Sequence, residues 1–360
     1  MPRRKLKVGV LFGGRSAEHE VSLVSAESVM KNLDRKKYQV VPIGIDKQGQ
    51  WMIGNQALKL LKAGKNFNLK SSQALLPEPG QRRVDVIFPL IHGTFGEDGK
   101  LQGFLELADV PYIGAGVSGS AVGMDKIVQK QIYQAAGIST PKFDYFPAPE
   151  FKKSAKYILR RLKKLNLPVF VKPANTGSSV GVSKVKQGRD LRPAIKLALK
   201  YDRRVIVEQA VPNPMEIEVA VLGNDKPKAS ILGQIVPSNE FYDYDAKYVD
   251  GKSKAIIPAS LPVLIAKKIR ALAVEAFKVL DLAGMARVDF LVSRKTWKIY
   301  LNEVNTIPGF VSISMYPKLW AASGLPFPKL LDELINLALS RHRQKQSLAT
   351  SFRPKAKWYR

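Results

Sequence analysis

Short apolar runs rich in Val, Ile and Leu alternate along the chain with segments whose apolar residues recur every three or four positions. That alternation predicts a mixture of α/β and α+β architecture. Residues 7–12 read as a buried strand that runs into Gly13-Gly14-Arg15-Ser16, followed by a helix over about 17–32. Residues 39–45 and 84–90 read as further strands, 101–107 as a short helix and 110–114 as extended chain. Residues 1–120 are therefore expected to form a small parallel-sheet domain covered by helices. A helix over 118–136 carries Met124-Asp125-Lys126 into a second unit, 121–212. Its pattern is strand 142–146, basic helix 150–165, strands 169–172 and 181–186, helix 191–200 and strand 204–209. A third unit, 213–340, opens with strands 216–222 and 228–235 around the turn Gly223-Asn224-Asp225. After a polar loop at 237–254, Ser260 is expected to cap a helix with Pro262 in its first turn. Ile265, Ile269, Leu272, Ala276 and Leu280 give that helix one buried face. Residues 341–360 read as a frayed basic tail.

Composition narrows the class. With 360 residues, 45% of them apolar, the chain can fill two or three domains of roughly 100–200 residues each. No stretch approaches the ~18 unbroken apolar residues of a membrane helix. The basic start resembles a signal peptide, but its apolar run is only 8–12 before Gly13-Gly14 ends it, short of the ~7–15 required. Cysteine is absent, which removes disulfides, thiolate metal sites and cysteine nucleophiles and fits a cytoplasmic location.

Charge is the unusual quantity: 58 Lys and Arg against 30 Asp and Glu, a net +28. It is concentrated. Residues 151–204 hold sixteen basic residues against Asp190 and Asp202, and 341–360 hold seven with no acid. Binding to nucleic acid or an acidic surface is one reading. A solvated basic surface, with a few lysines meeting phosphate, is the more economical one, because no aromatic-interleaved RNA motif accompanies the charge.

Two constellations carry candidate chemistry. Val169-Phe170-Val171-Lys172-Pro173 is a strand ending in a lysine, and Gly177-Ser178-Ser179-Val180-Gly181 follows it. Glycines let backbone N–H groups wrap a phosphate, and the serines add hydroxyl donors. The order is neither Walker-like nor G-x-G-x-x-G. By itself the loop fits a β-turn with serines equally well. In 284–292, strand alternation puts Arg287 and Asp289 on one face and Ala286, Val288, Phe290 and Val292 on the other. In 299–305, Glu303 and Asn305 share a face. Two carboxylates and an amide at one place would repel or protonate without a cation. All-oxygen ligands in a site serving phosphates point to Mg²⁺. On these strands alone, a solvent-facing polar hairpin is an equal alternative.

Taken together, Lys126, Lys172-Pro173, the glycine loop, Glu208, Arg287-x-Asp289 and Asn302-Glu303-Val304-Asn305-Thr306 resemble the ATP-grasp enzymes. More narrowly, the chain resembles the D-alanine–D-alanine ligases. The narrowing rests on Gly13-Gly14-Arg15-Ser16-Ala17-Glu18, Leu90-Ile91-His92-Gly93 and Gly96-Glu97-Asp98-Gly99. It rests also on the 241–248 stretch ending in Lys247-Tyr248, and on 305–317, which contains Gly309 and Ser314. The motifs span residues 8 to about 335 in the family's order.

The resemblance implies an ATP-grasp fold behind an N-terminal parallel-sheet domain. It implies ATP-dependent joining of two D-alanines through an acyl phosphate, for peptidoglycan precursor synthesis in the cytoplasm, usually as a homodimer. Lys126 and Lys172 would contact the α- and β-phosphates, and Gly177, Ser178 and Ser179 would cover the triphosphate. Glu208 would accept from the adenine amino group, with Gln209 and Val211 beside it, and Glu216 would hold the ribose. Gln209 stands where many relatives have lysine; contact there runs through backbone. Asp289, Glu303 and Asn305 would bind two Mg²⁺ ions, with Mn²⁺ as a possible substitute.

Arg287 and the Gly309 N–H would stabilise the oxyanion. Lys247 would reach the γ-phosphate from a flap at 237–254, and Tyr248 would join Ser178 and Glu18. Glu18 and His92 would meet the first D-alanine; Ser314 and Met315 would receive the second. His19 and His342 are expected to be solvent-facing. Tyr248 favours D-alanine over D-lactate, since depsipeptide-forming relatives depart from Lys-Tyr there. A D-alanine–D-lactate ligase, or another carboxylate–amine ligase, is the near alternative; a nucleic-acid-binding module is the distant one, and nothing points to a membrane partner.

Overall fold

The computed structural model describes residues 4–67, 84–237, 253–311 and 313–351. Its first strand, β1 (Leu6–Gly13), is apolar and buried from Val8 onward because both faces are covered there. Val8, Val10 and Phe12 enter one core cluster and Leu11 another. β2 (Tyr38–Ile45) and β4 (Val86–Pro89) flank it in parallel. β3 (Trp51–Ile53) joins β2 antiparallel at the edge, so the sheet is mixed rather than wholly parallel. The turn between β2 and β3 is too short for a crossover. Helices α1 (His19–Asn32), α2 (Gln56–Lys62) and α3 (Lys100–Leu107) belong to this part of the chain.

The helix expected over 118–136 is two: α4 (Val117–Met124) and α5 (Lys126–Ala135). Asp125 divides them. Its backbone is extended, and its carboxylate accepts from the N–H groups of Ile127 and Val128 at 3.1 and 3.2 Å. An Asp at this position is a strong N-cap. Lys126 thereby opens α5 instead of riding mid-helix.

The second sheet runs β5-β8-β6-β7, all antiparallel, from β5 (Phe143–Pro147), β6 (Val169–Pro173), β7 (Ser183–Val185) and β8 (Arg204–Gln209). Helices α6 (Ala148–Leu162) and α7 (Leu191–Ala198) pack on it around Phe146, Ile158, Val171 and Ile195. The third sheet runs β11-β10-β9-β12-β13, from β9 (Pro214–Gly223), β10 (Lys228–Val236), β11 (Lys254–Ile256), β12 (Gly284–Ser293) and β13 (Ile299–Asn305). Helix α8 (Val263–Val279) buries Ile269, Ala273, Ala276 and Phe277. It starts later than expected: Pro262 occupies the N-cap position, and Ser260 does not cap it.

Two last helices, α9 (Met315–Ala322) and α10 (Phe327–Gln346), close the chain onto its start. Phe310, Tyr316, Leu330 and Leu334 share one apolar cluster with Val10, Phe12 and Phe88, whereas the second sheet keeps a core of its own. Helix α10 also takes in residues 341–346 of the stretch expected to fray. Arg341 donates to the carbonyls of Gly114 and Tyr112 at 2.5 and 3.1 Å, and its guanidinium lies 4.4 Å over the Tyr112 ring. Lys345 pairs with Glu106. Arg341 and Lys345 are thus docking contacts, which orders this stretch. His342 shares that interface, 3.6 Å from Asp109 and largely covered. His19 is buried too, with Nδ1 2.8 Å from the Gly14 carbonyl. Both histidines therefore differ from the solvent-facing positions expected for them. No helix among the described residues is long and apolar enough to cross a membrane.

Candidate active site

The second and third sheets, with loops that follow the strands of the first, line one cleft of about 740 Å³, among whose walls are Glu18, Lys172, Glu208, Arg287, Glu303 and Gly309. Its floor is the polar face of the β12–β13 hairpin. Register pairs Arg287 with Asn305 and Asp289 with Glu303, so alternation brings all four side chains to the same face. Arg287 grips Asp289 with two parallel bonds, Nε and Nη2 each 2.7 Å from a carboxylate oxygen. Asn305 adds a third at 3.0 Å. On β9, opposite Asp289, Glu218 lies 3.3 Å from Arg287 Nε. Burial works against the Arg287 charge, but Asp289 and Glu218 outweigh it and hold the guanidinium firmly cationic.

The repulsion expected among these acids is answered by protein cations. Lys126 Nζ is 3.9 Å from Glu303 and donates to the Thr176 carbonyl at 2.6 Å. Among the described residues no three His, Asp or Glu side chains converge as a ligand group. Asp289, Glu303 and the Asn305 amide offer a hard, all-oxygen but incomplete set. That suits a Mg²⁺ ion whose remaining ligands are phosphate oxygens and water.

The glycine loop leaves β6 and turns sharply. Ser178 and Ser179 both adopt left-handed backbone, at φ of 45° and 60°. Such conformations cost roughly 1–3 kcal/mol each in non-glycine residues and cluster at functional sites. Here they make a tight turn, closed by the Val180 N–H donating to the Gly177 carbonyl at 3.1 Å. Ser178 also donates its hydroxyl to Glu18, across the boundary to the N-terminal sheet. A Cβ on Gly177 would collide with the same Glu18 carboxylate. The two parts of the chain therefore meet at Glu18, Gly177 and Ser178.

Deeper in the cleft, Glu208 is sandwiched. Lys172 Nζ donates to Oε2 at 2.7 Å, and Lys130 Nζ lies 3.2 Å from Oε1. Burial pushes the Glu208 pKa up, but the two lysines outweigh it, so the carboxyl stays below its ordinary value and ionised. Gln209, Val211 and Glu216 continue the same wall. At the other end, His92 is buried with both ring nitrogens engaged: Nδ1 donates to the Ile307 carbonyl, and Nε2 faces the Ser25 hydroxyl, each at 2.9 Å. Burial lowers its pKa and keeps the ring neutral. The chain then turns through Gly309, where a Cβ would meet Ser314 Oγ at 2.6 Å. Bare backbone at Gly309 is what lets Ser314 approach. Lys247 and Tyr248 lie outside the described residues.

Profiles of the D-ala D-ala ligase N-terminus and C-terminus match residues 7–115 and 132–336. The chain belongs to the D-alanine–D-alanine ligase family. The D-alanine–D-alanine ligase of Natranaerobius thermophilus is 47% identical over 97% of this chain and 99% of its own length. That of Thermoanaerobacter sp. strain X514 is 49% identical over 95% and 98%. Among solved structures, the D-alanine–D-alanine ligase of Coxiella burnetii superposes with a TM-score of 0.82 at 38% identity, covering 95% of this chain and 96% of that one. The VanG D-Ala:D-Ser ligase of Enterococcus faecalis gives 0.80 at 37% identity, covering 93% and 100%. The fold is thus the ATP-grasp fold of this family.

Glu97 and Glu218 on the cleft wall, and Lys130 buried beneath it, were not singled out by sequence. Strand alternation would have found Glu218, two positions from Glu216. A lysine inside the apolar stripe of α5, between Ile127 and Tyr133, was the signal for Lys130. Glu97 sits in a quoted motif, but nothing local says that it is buried. It accepts from the N–H groups of Gly93 and Ile307, both at 2.9 Å, and from Thr306 Oγ1 at 3.2 Å. In this way it ties the N-terminal sheet to the segment that follows Asn305.

Burial, and then the charge of Glu18, push Glu97 up from 4.5 to about 7. Between those values the folded protein holds a proton that the unfolded chain has lost. This group's contribution to stability therefore falls as pH rises through the window, by about 3 kcal/mol in all. Glu97→Gln removes the titration. The stability of the variant relative to the parent is expected to rise between pH 4.5 and 7, as read by denaturant melts across that range. A difference independent of pH would contradict the assignment.

Proposed function

We propose that this chain joins two D-alanines into D-alanyl-D-alanine at the expense of ATP, supplying peptidoglycan synthesis in the cytoplasm. The supporting observation is the convergence in one cleft of three elements: a lysine-lined phosphate cradle, an acidic hairpin gripped by Arg287, and an amino-acid pocket at Glu18 and Gly309. The family is ATP-dependent, and the donor set fits Mg²⁺. In this reading 121–212 and 213–340 hold the nucleotide between them, while 1–120 brings the first substrate.

A carboxylate does not accept an amine directly, because an oxide is too poor a leaving group. Glu18 holds the ammonium of the first D-alanine and aims its carboxylate at the γ-phosphorus, with neutral His92 shaping the wall beside it. Lys126, Lys172 and the N–H groups of 177–179 orient the triphosphate. The carboxylate oxygen attacks phosphorus, and ADP leaves. Asp289, Glu303 and Asn305 would hold two Mg²⁺ ions, with Mn²⁺ able to substitute, and the metal would neutralise the β- and γ-phosphate charge.

Ser314 and the backbone at Met315 receive the carboxylate of the second D-alanine. Its free amine attacks the acyl carbon, giving up a proton. Phosphate departs with the former carboxylate oxygen. Arg287 and the Gly309 N–H meet the oxyanion that develops in between. Lys247 and Tyr248 complete the enclosure in this reading.

Coupled phosphate release tests the assignment. It is expected with D-alanine alone, with the dipeptide identified by mass, and not with D-lactate or D-serine as sole substrate. D-alanine giving no release, while a mixture with D-lactate or D-serine does, would transfer the chain to a depsipeptide or mixed-dipeptide specificity.

A further inference from the structure

Lys130 is 1% exposed, and a lysine so buried needs paired partners. It has two, from different parts of the fold. Its Nζ donates to the main-chain carbonyl of Asn302 at 2.9 Å, one residue before Glu303. It also forms an ion pair with Glu208 at 3.2 Å. The two lysines on Glu208 are not equivalent. Lys172 keeps 13% of its side chain exposed on the cleft wall, whereas Lys130 is sealed beneath it. Lys172 can turn to a phosphate; Lys130 has nowhere else to go. Once Lys172 turned away, a Glu208 without Lys130 would be a buried carboxylate lacking any cation, a strongly unfavourable arrangement.

We infer that Lys130 is a positioning residue for the nucleotide: it fixes the Glu208 carboxylate toward the purine amino group, ties that group to the strand bearing Glu303, and frees Lys172 for phosphate. The inference rests on the proposed adenine contact of Glu208. Lys130 touches neither base nor phosphate, so its effect passes through Glu208. The readout is base selectivity. A fixed, ionised carboxylate accepts from the 6-amino group of ATP and repels the 6-oxo group of ITP.

The test compares the full-length enzyme with Lys130→Met, Glu208→Gln and the double variant, measuring kcat and KM for ATP, ITP and D-alanine. Lys130→Met is expected to raise the KM for ATP by about tenfold or more, a change of roughly 1.4 kcal/mol. It should also reduce the preference for ATP over ITP and leave the KM for D-alanine nearly unchanged. In the Glu208→Gln background the same substitution should add little, because the group it acts through is gone.

Additive losses, or an unchanged ATP:ITP preference in Lys130→Met, would overturn the inference and leave Lys130 a packing residue. If Lys130→Met does not fold, Lys130→Gln keeps a donor for Asn302 and is read in the same way. Failure of the parent reading looks different: Glu208→Gln alone would then leave the KM for ATP and the base preference at their wild-type values.

Discussion

Asp289→Asn is expected to lower kcat on the order of 10³-fold and to raise the Mg²⁺ concentration needed for half-maximal rate by about tenfold or more. The substitution preserves shape and removes one negative charge from the centre of the polar hairpin. In the parent, Asp289 lies between a guanidinium at 2.7 Å on each oxygen and the Asn305 amide at 3.0 Å. Its charge is thus already balanced by protein, and a divalent ion would have to share it. Without that charge the hairpin keeps Glu303 alone as an ionic ligand. Arg287 retains Glu218 at 3.3 Å, so the fold is expected to survive. Kinetics at several Mg²⁺ concentrations, with a melting curve beside them, separate the two effects. Wild-type kcat with wild-type metal dependence would remove Asp289 from the metal site.

Arg287→Lys is the second large effect: a fall in kcat of about 10²-fold or more, with little change in the KM for ATP. Lysine keeps the charge but is a point donor on a flexible stem. It cannot reproduce two parallel N–H bonds to Asp289 while also facing Glu218. In the parent those contacts fix the guanidinium plane, which leaves its further N–H donors rigidly held in the cleft that Gly309 also lines, where the oxyanion is proposed to develop. Preorganised donors of that kind act in the transition state more than in substrate binding, so the loss should fall on kcat. A kcat within a few-fold of the parent, with only the melting temperature lowered, would make Arg287 a structural pair for Asp289 and Glu218.

The parts of the fold legible in the sequence are those that local periodicity determines. The period of two in 284–292 and 299–305 identified the shared face of Arg287, Asp289, Glu303 and Asn305, and the register pairs them as that pattern requires. The strand at 169–173 and the turn that follows it were likewise legible in the local order of residues. What was missed depends on partners far along the chain. Glu97 is buried by Thr306 and Ile307, more than two hundred residues away. Arg341 is ordered by equally distant carbonyls at Gly114 and Tyr112, whereas His19 is the exception, covered by a turn only five residues away at Gly14.

Charge-rich composition made 341–346 look like a tail, because nothing local reveals an acidic surface waiting at Glu106 and Asp109. The break at Asp125 was legible in principle. An Asp before Lys126 is an N-cap signal, but the apolar pattern on either side of it is continuous enough to hide the interruption.

The most direct measurement follows the oxygen atoms. D-alanine labelled with ¹⁸O in its carboxylate, turned over with unlabelled ATP, should deliver one ¹⁸O to inorganic phosphate for each dipeptide formed, since the attacking oxygen leaves with phosphorus. Dipeptide formed with no ¹⁸O in the released phosphate would contradict activation of the first amino acid by phosphoryl transfer in this cleft.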